Sequence, residues 1–210
     1  MDFFEAVTTL RAIRRLRPDP IPESALRQIM DAAICAPSGG NRQGWSFLVV
    51  RDAAARKRLG ELYLEAWGEL TKLPYYAGAA KEPPDSPTGK MFASARHLAL
   101  HIGEAPVLIL AGVALDPGAK ATITTGASVY PAVQNILLAA RALGIGSCIT
   151  TIHKFRDQQV KDLLGIPADV ETAALIPLGH PLGKFGRPPR RPVREIAFAD
   201  RWGQAFADRP

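Results

Sequence analysis

The stretch from about Thr124 to Leu143 constrains this chain most. Its apolar positions, Val129, Val133, Ile136, Leu137 and Ala140, nearly encircle a helix that ends at Gly144. A helix apolar on every side needs cover on every side. It is therefore either the central helix of a core or the seam between two subunits. Gly144 stands where a C-terminal glycine cap belongs, and Pro131 predicts a kink or a late start. A chain of 210 residues suffices for one domain with a real core around that helix.

The remaining elements follow from periodicity and breakers. Residues 3–13 read as a helix with Phe3, Val7 and Leu10 on one face, broken by Pro18-Asp19-Pro20-Ile21-Pro22. A second helix begins near Glu23, carries Leu26, Ile29, Met30 and Ala33, and stops at Pro37. Trp45 to Val50 is too short for a helix and is predicted as a strand. Asp52 caps a longer helix with Leu59, Leu62, Tyr63, Ala66, Trp67 and Leu70 on one side. Residues 74–90, rich in Pro, Gly and small polar groups, read as an excursion outside the core, part of a lid over 63–92. A helix from Phe92 to Ile102 follows. Strands are predicted at Pro106–Leu115, Ile145–Thr151 and Val170–Leu178, with a helix at Phe155–Leu164 closed by Gly165. The last stretch, 183–210, is polar, proline-punctuated and at first basic, with Trp202 and Phe206 as anchors. It cannot form its own core, so it is expected to wrap a neighbouring surface as an arm. With no internal repeat or linker, residues 1–210 are one domain. Helices outnumber strands, which predicts a mixed sheet with helices on both sides.

Bulk properties exclude several classes. The net charge is +6, but the positive charges are scattered and no aromatic residues interleave with them, so no nucleic-acid partner is expected. No apolar run is long enough for a bilayer, and Met1-Asp2-Phe3-Phe4-Glu5 does not resemble a signal peptide. Cys35 and Cys148 lie far apart beside apolar residues, as two buried reduced thiols would in a cytoplasmic protein. The four histidines, His97, His101, His153 and His180, have no metal-ligand spacing, so no metal is expected. No nucleophile–base pair, G-x-S-x-G elbow or Walker loop stands out.

What does stand out is polar chemistry at both ends. Arg11-Ala12-Ile13-Arg14-Arg15 lies near the start, and Arg187-Pro188-Pro189-Arg190-Arg191-Pro192 near the finish. Between them in sequence is the loop Ala36-Pro37-Ser38-Gly39-Gly40-Asn41-Arg42-Gln43-Gly44-Trp45. Guanidinium forks match phosphate oxygens, and Ser, Asn and Gln supply hydrogen bonds to an amphipathic heterocycle. Together they suggest a site for a planar, anionic cofactor.

These segments, with Gln134-Asn135-Ile136-Leu137-Leu138-Ala139-Ala140-Arg141-Ala142-Leu143-Gly144, Gly165-Ile166-Pro167, Leu178-Gly179-His180-Pro181 and Arg190-Arg191-Pro192-Val193, occur in an order that resembles the FMN-dependent nitroreductase family. The resemblance runs from about Val7 to Trp202 and fails mainly in the lid. It implies an α+β, three-layer α/β/α fold and an interlocked homodimer with FMN in the interface. The C-terminal arm would cross to the other subunit and add an edge strand there, near Val193 to Ala199. It implies FMN contacts from the segment Arg11, Ala12, Ile13 and Arg14, with Arg11 and Arg14 approaching the phosphate and ribityl chain and Arg190 completing the phosphate clamp. Pro37, Ser38 and Asn41 would lie along the isoalloxazine edge and ribityl, the Pro37-Ser38 pair arriving from the partner subunit, with Gln43 fixing the loop. Ile149, Thr150 and Thr151 would place donors near flavin N5 and O4, stabilising the reduced, anionic flavin.

The implied activity is an NADH- or NADPH-dependent oxidoreductase with ping-pong kinetics, passing a hydride through flavin N5 to a small electron-poor acceptor such as a nitroaromatic, quinone or enone. No side chain is assigned a chemical step. Related flavin chemistry (reductive dehalogenation, dehydrogenation or cleavage of the flavin) and flavin storage or sensing are the alternatives. Two departures stand in the sequence. Leu10-Arg11-Ala12 replaces the family's frequent Arg-Arg-Ser, and Gly44 replaces the usual proline before the tryptophan.

Overall fold

Val170–Pro181 is buried along most of its length and organises the sheet of the computed structural model, which describes residues 1–206. In chain order the elements are α1 (Phe3–Thr9), β1 (Leu16–Arg17), α2 (Glu23–Ala33), β2 (Trp45–Val50), α3 (Ala53–Leu70), α4 (Pro74–Ala79) and α5 (Pro87–His101). Then come β3 (Val107–Ala114), α6 (Ile123–Ala142), β4 (Gly146–Ser147), α7 (Asp157–Leu164) and β5 (Val170–Pro181). The sheet order is β1-β5-β3-β2, with β4 also paired to β5. Leu178 stands opposite Val107 in β5·β3, and Phe47 opposite Ala111 in β2·β3.

The α+β class holds, with one correction. A mixed sheet was expected, and every strand pair among the described residues is antiparallel. The mixed sheet was expected because helices outnumber strands. Here α3 to α5 join β2 and β3 as antiparallel neighbours, so the number of helices does not set strand direction.

Side chains of β3 alternate between the faces. Val107, Ile109, Ala111 and Val113 belong to the core shared with α2 and α6, while Leu108 and Leu110 belong to the core shared with α3 and α5. The period of two thus sorts one strand into two cores and makes three layers.

Helix α6 begins at a Thr122–Thr125 capping box and runs unbroken through Pro131. Gly144 at φ 72° ends it, with Ile145 N–H donating to Ala140 O at 2.8 Å and Gly144 N–H to Arg141 O at 3.0 Å. This doubly bonded glycine stop satisfies carbonyls that the helix leaves free. One stripe, including Val129, Val133, Ile136 and Ala140, is buried, while Tyr130 and Leu143 stay about 40% exposed (40% and 39%). The single chain therefore covers this helix on one side.

Several segments differ from expectation. Helix α1 stops at Thr9 rather than at 13, because the arginine segment is drawn out beside the sheet: Ile13 N–H donates to Ser147 O at 2.9 Å and Leu182 N–H to Arg15 O at 3.0 Å. Residues 74–90 are largely helical, because Pro74 and Pro87 each take a first helical position, where a missing N–H costs nothing. The strand expected at 145–151 reduces to β4 and a single bridge from Thr150 to Leu175. The helix expected from Phe155 starts as a 3-10 turn at Ile152–Arg156 and becomes α7 at Asp157, ending at Gly165 with φ 64°. Cys148 is buried, but Cys35 is exposed just past the end of α2. Within the single chain Val193–Glu195 is a 3-10 turn and Phe198 bridges Ala205. The last part of the arm, 207–210, lies outside the described residues. No helix among the described residues is long and apolar enough to cross a membrane.

Candidate functional site

The arginine segment reaches the centre of the molecule because glycines let it pass closely. A Cβ on Gly146 would stand 2.8 Å from both Ile13 Cγ2 and Leu16 Cδ2, inside van der Waals contact. That close passage buries Ile13 and leaves Arg11 and Ala12 exposed. It also puts Arg14, half-buried, against the segment that follows β4.

There Arg14 lines a cleft of about 170 Å³ with Ile149, Thr150 and Thr151. Much of the remaining lining comes from α3, α4 and α5: Tyr63, Trp67, Tyr76, Met91 and Ala95. Arg14 is the only charged side chain in this lining. The aromatic wall is braced by Trp67 and Tyr76, edge to face with centroids 6.3 Å apart, and by Phe92, tilted against Trp67 at 5.4 Å. An apolar, aromatic cleft with one cation and a few hydroxyls suits an uncharged heteroaromatic ring bearing polar edges. It is smaller than the ~300–1,000 Å³ of a complete small-molecule site.

Thr150 is held from three directions. Its N–H donates to Leu175 O at 3.1 Å and its carbonyl accepts from Leu175 N–H at 2.8 Å. Its hydroxyl lies 2.7 Å from the Tyr63 hydroxyl and accepts weakly from Ile152 N–H at 3.4 Å. Burial pushes the Tyr63 phenol well above its ordinary pKa, so it stays protonated throughout the neutral range. Burial likewise pushes the neighbouring Cys148 thiol up to about 12, with Arg14 opposing, so Cys148 is an inert neutral thiol.

The polar loop occupies a different cavity. Ser38 lines a groove with Arg42, Asp116 and Ser128, not the Arg14 cleft. Ser38 Oγ accepts from Gln43 N–H at 2.9 Å, Gly39 N–H donates to Ser128 Oγ at 3.2 Å, and Arg42 Nη1 donates to Asp116 Oδ2 at 3.0 Å. Asn41 and Gln43 both adopt the left-handed region, at φ 53° and 51°. The Gln43 amide braces this strain by donating to Asn41 Oδ1 at 3.3 Å. Left-handed backbone at two non-glycine residues costs stability and concentrates at functional loops. Pro37, Asn41 and Gln43 are exposed, and Ser38 is half-buried. Arg190 is exposed too, its guanidinium donating to Pro189 O at 2.9 Å.

Within one chain, then, the structure brings Arg14 together with Ile149, Thr150 and Thr151. It does not bring Pro37, Ser38, Asn41, Gln43 or Arg190 into that cleft, and Arg11, Ala12 and Ile13 stand outside its lining. Sequence reasoning missed Tyr63 as a site residue, because it fits the apolar stripe of α3. The signal was a hydroxyl in that stripe, which burial obliges to find a partner. Outside the cleft lining, His153 is buried with Nε2 3.2 Å from Thr172 Oγ1 and with Nδ1 unpartnered among the described residues.

The nitroreductase family model matches residues 7–180. A curated NADH dehydrogenase from Thermus thermophilus is 30% identical over 94% of this chain and 96% of its own length. A protein from Desulfovibrio desulfuricans, described as a nitroreductase and solved in complex with FMN, superposes with TM-score 0.67 at 26% identity, covering 95% of this chain and 96% of that one. The FMN-dependent nitroreductase NfnB from Mycobacterium smegmatis, solved with NADPH, superposes with TM-score 0.71 at 24% identity over 95% of this chain and all of its own, and shows the same fold. With a match over residues 7–180 and an architecture shared along nearly its full length, the chain belongs to the nitroreductase family.

Proposed function

We propose that this protein is an FMN-dependent NAD(P)H oxidoreductase working as a two-fold homodimer. One observation carries the reading: Arg14 and the Ile149–Thr151 segment, far apart in sequence, wall one aromatic cleft whose other side chains are uncharged. That donor set fits a flavin, whose rings stack on aromatic faces while its polar edge asks for hydrogen bonds.

When bound, FMN supplies the relay by which a hydride from NADH or NADPH reaches an acceptor. The chain's own residues bind and orient. Arg14 and Arg11 hold the ribityl and phosphate from the N-terminal segment, and Arg190 completes the phosphate clamp. Thr150 and Thr151 offer donors to the N5 and O4 edge. Pro37, Ser38 and Asn41, which stand outside the Arg14 cleft of their own chain, supply the remaining wall to the neighbouring subunit, and Gln43 braces their loop. The cleft's small volume and the uncovered side of α6 both favour this arrangement. Residues 183–206 then serve as the arm that reaches across, and α4 with the start of α5 as the lid over the acceptor. The acceptor is a small electron-poor molecule such as a nitroaromatic, quinone or enone.

The test is direct. Purified protein should release FMN on heating, sediment as a dimer, and give parallel double-reciprocal lines when NAD(P)H and a quinone are varied. Intersecting lines, or flavin-free protein that takes up no added FMN, would remove the assignment.

A further inference from the structure

Tyr63 is 2% exposed, and its hydroxyl has one partner among the described residues, the Thr150 hydroxyl at 2.7 Å. Either oxygen of such a pair can donate. Burial decides between them. If Thr150 donated to the phenol, the phenolic proton, on a side chain only 2% exposed, would have no acceptor among the described residues, an unpaired donor that folding does not tolerate cheaply. The phenol therefore donates to Thr150 Oγ1. Ile152 N–H approaches the same oxygen at 3.4 Å, so both of its acceptor positions are addressed from the protein side. Among the described residues the Thr150 proton then has no other acceptor. Reciprocal bonds to Leu175 fix the threonine backbone, and the two bonds to its oxygen, from Tyr63 and Ile152, hold the side chain in this rotamer. Its open direction is the cleft that Thr150 lines with Arg14.

We propose that Tyr63 is a positioning residue that aims the Thr150 hydroxyl proton into the cleft, where it donates to the N5–O4 edge of bound FMN and raises the flavin's midpoint potential. This rests on the cofactor reading above. No electron or proton leaves Tyr63. Its contribution is to fill a lone pair on Thr150 Oγ1 and thereby fix where that hydroxyl points. A donor held towards the edge that gains negative charge on reduction favours the reduced form. Once the phenol is removed, Thr150 Oγ1 is free to rotate, and the donor is lost from the edge.

The experiment is a redox titration of the FMN-loaded protein against a reference dye, followed by visible absorbance. Tyr63→Phe keeps the ring and its packing and removes only the hydroxyl. Thr150→Val keeps the branched shape and removes the final donor. Each should move the midpoint potential to a more negative value, and the double variant should move it no further than Thr150→Val alone, since both changes delete one chain of hydrogen bonds. Thr150→Ser should stay near the wild-type potential while Tyr63 is present and drop when combined with Tyr63→Phe. This pair serves if Thr150→Val folds poorly. A wild-type potential in Tyr63→Phe, or effects of the two single variants that simply add, would overturn the proposal. Wild-type protein that binds no FMN would overturn the cofactor reading itself, and this inference with it.

Discussion

The guanidinium of Arg141, at the end of α6, lies over the ring of Phe185, 4.2 Å from its centroid. The same side chain is 8% exposed and donates from Nε to Thr9 Oγ1 at 2.9 Å. One residue thus ties the most apolar helix to α1 and to the first turn of the C-terminal arm. Glu5, 3.9 Å away and 55% exposed, adds little. Arg141→Ala should cost about 2–3 kcal/mol, from a charge-assisted hydrogen bond and a partly desolvated cation–π contact. Urea denaturation checks the loss, and limited proteolysis should show faster cleavage beyond residue 182.

His153 makes stability depend on pH. Burial, reinforced by the Lys154 charge and opposed by Asp157, pushes its pKa from 6.5 down to about 4. A base whose folded pKa is depressed binds protons more readily when unfolded. Its contribution is therefore complete above about pH 6.5 and is lost progressively as pH falls towards 4, with little change below. The full effect is roughly 3 kcal/mol. The Asp157 pKa is also depressed, against desolvation, by its bonds to Thr172 and Lys154, but from 3.8, so its share is lost below the histidine's window. Urea midpoints measured at about pH 7, 6 and 5 should fall steadily in the wild type. In His153→Phe the slope should be much flatter. An unchanged slope would show that another group is responsible.

The polar loop trades stability for shape. Gln43 sits at φ 51°, where a side chain costs about 1 kcal/mol relative to glycine. Gln43→Gly should leave stability equal or slightly raised, while the loss of the brace to Asn41 weakens FMN retention. Ser38→Ala, which deprives Gln43 N–H of its 2.9 Å acceptor, should cost about 1 kcal/mol and weaken FMN retention in the same direction. Thermal unfolding and flavin content per subunit, measured on both variants, separate the two effects.

Among the described residues Arg190 reaches no acidic partner and donates only to a neighbouring carbonyl. If it clamps phosphate in the dimer, Arg190→Ala should weaken FMN binding by about 2–5 kcal/mol, because the phosphate loses a charge-assisted partner. Arg187→Ala, on the same basic stretch, should change little. Equal flavin content in wild type and Arg190→Ala would take this residue out of the site.

Much of the architecture was legible in the chain. Trp45–Val50 is a strand with the bounds its short apolar run predicts. Asp52 caps α3 through Ala55 N–H, and Gly144 and Gly165 both stop helices in the left-handed region. These are local signals, and local physics decides them. Segments whose conformation depends on distant partners were less legible. Residues 10–15 carry no break that ends α1 at Thr9; the bond from Ile13 to Ser147 draws them out. Prolines at 74 and 87 looked like loop punctuation and are helix starts. In the site, the arginine segment and the threonines could be named from their resemblance, and Arg14 does meet Thr150 in one cleft. Tyr63 was hidden, because nothing local distinguishes a phenol that packs from one that also donates.

The central claim is that the Arg14–Thr150 cleft holds a flavin that accepts hydride from a nicotinamide nucleotide. Its most direct measurement is an anaerobic stopped-flow half-reaction: the FMN-loaded protein mixed with excess NADH, then with excess NADPH, while the visible flavin absorbance is followed. The account predicts that at least one nucleotide bleaches the bound flavin fully and that a quinone restores its colour. A flavin that stays oxidised under excess of both nucleotides would contradict it.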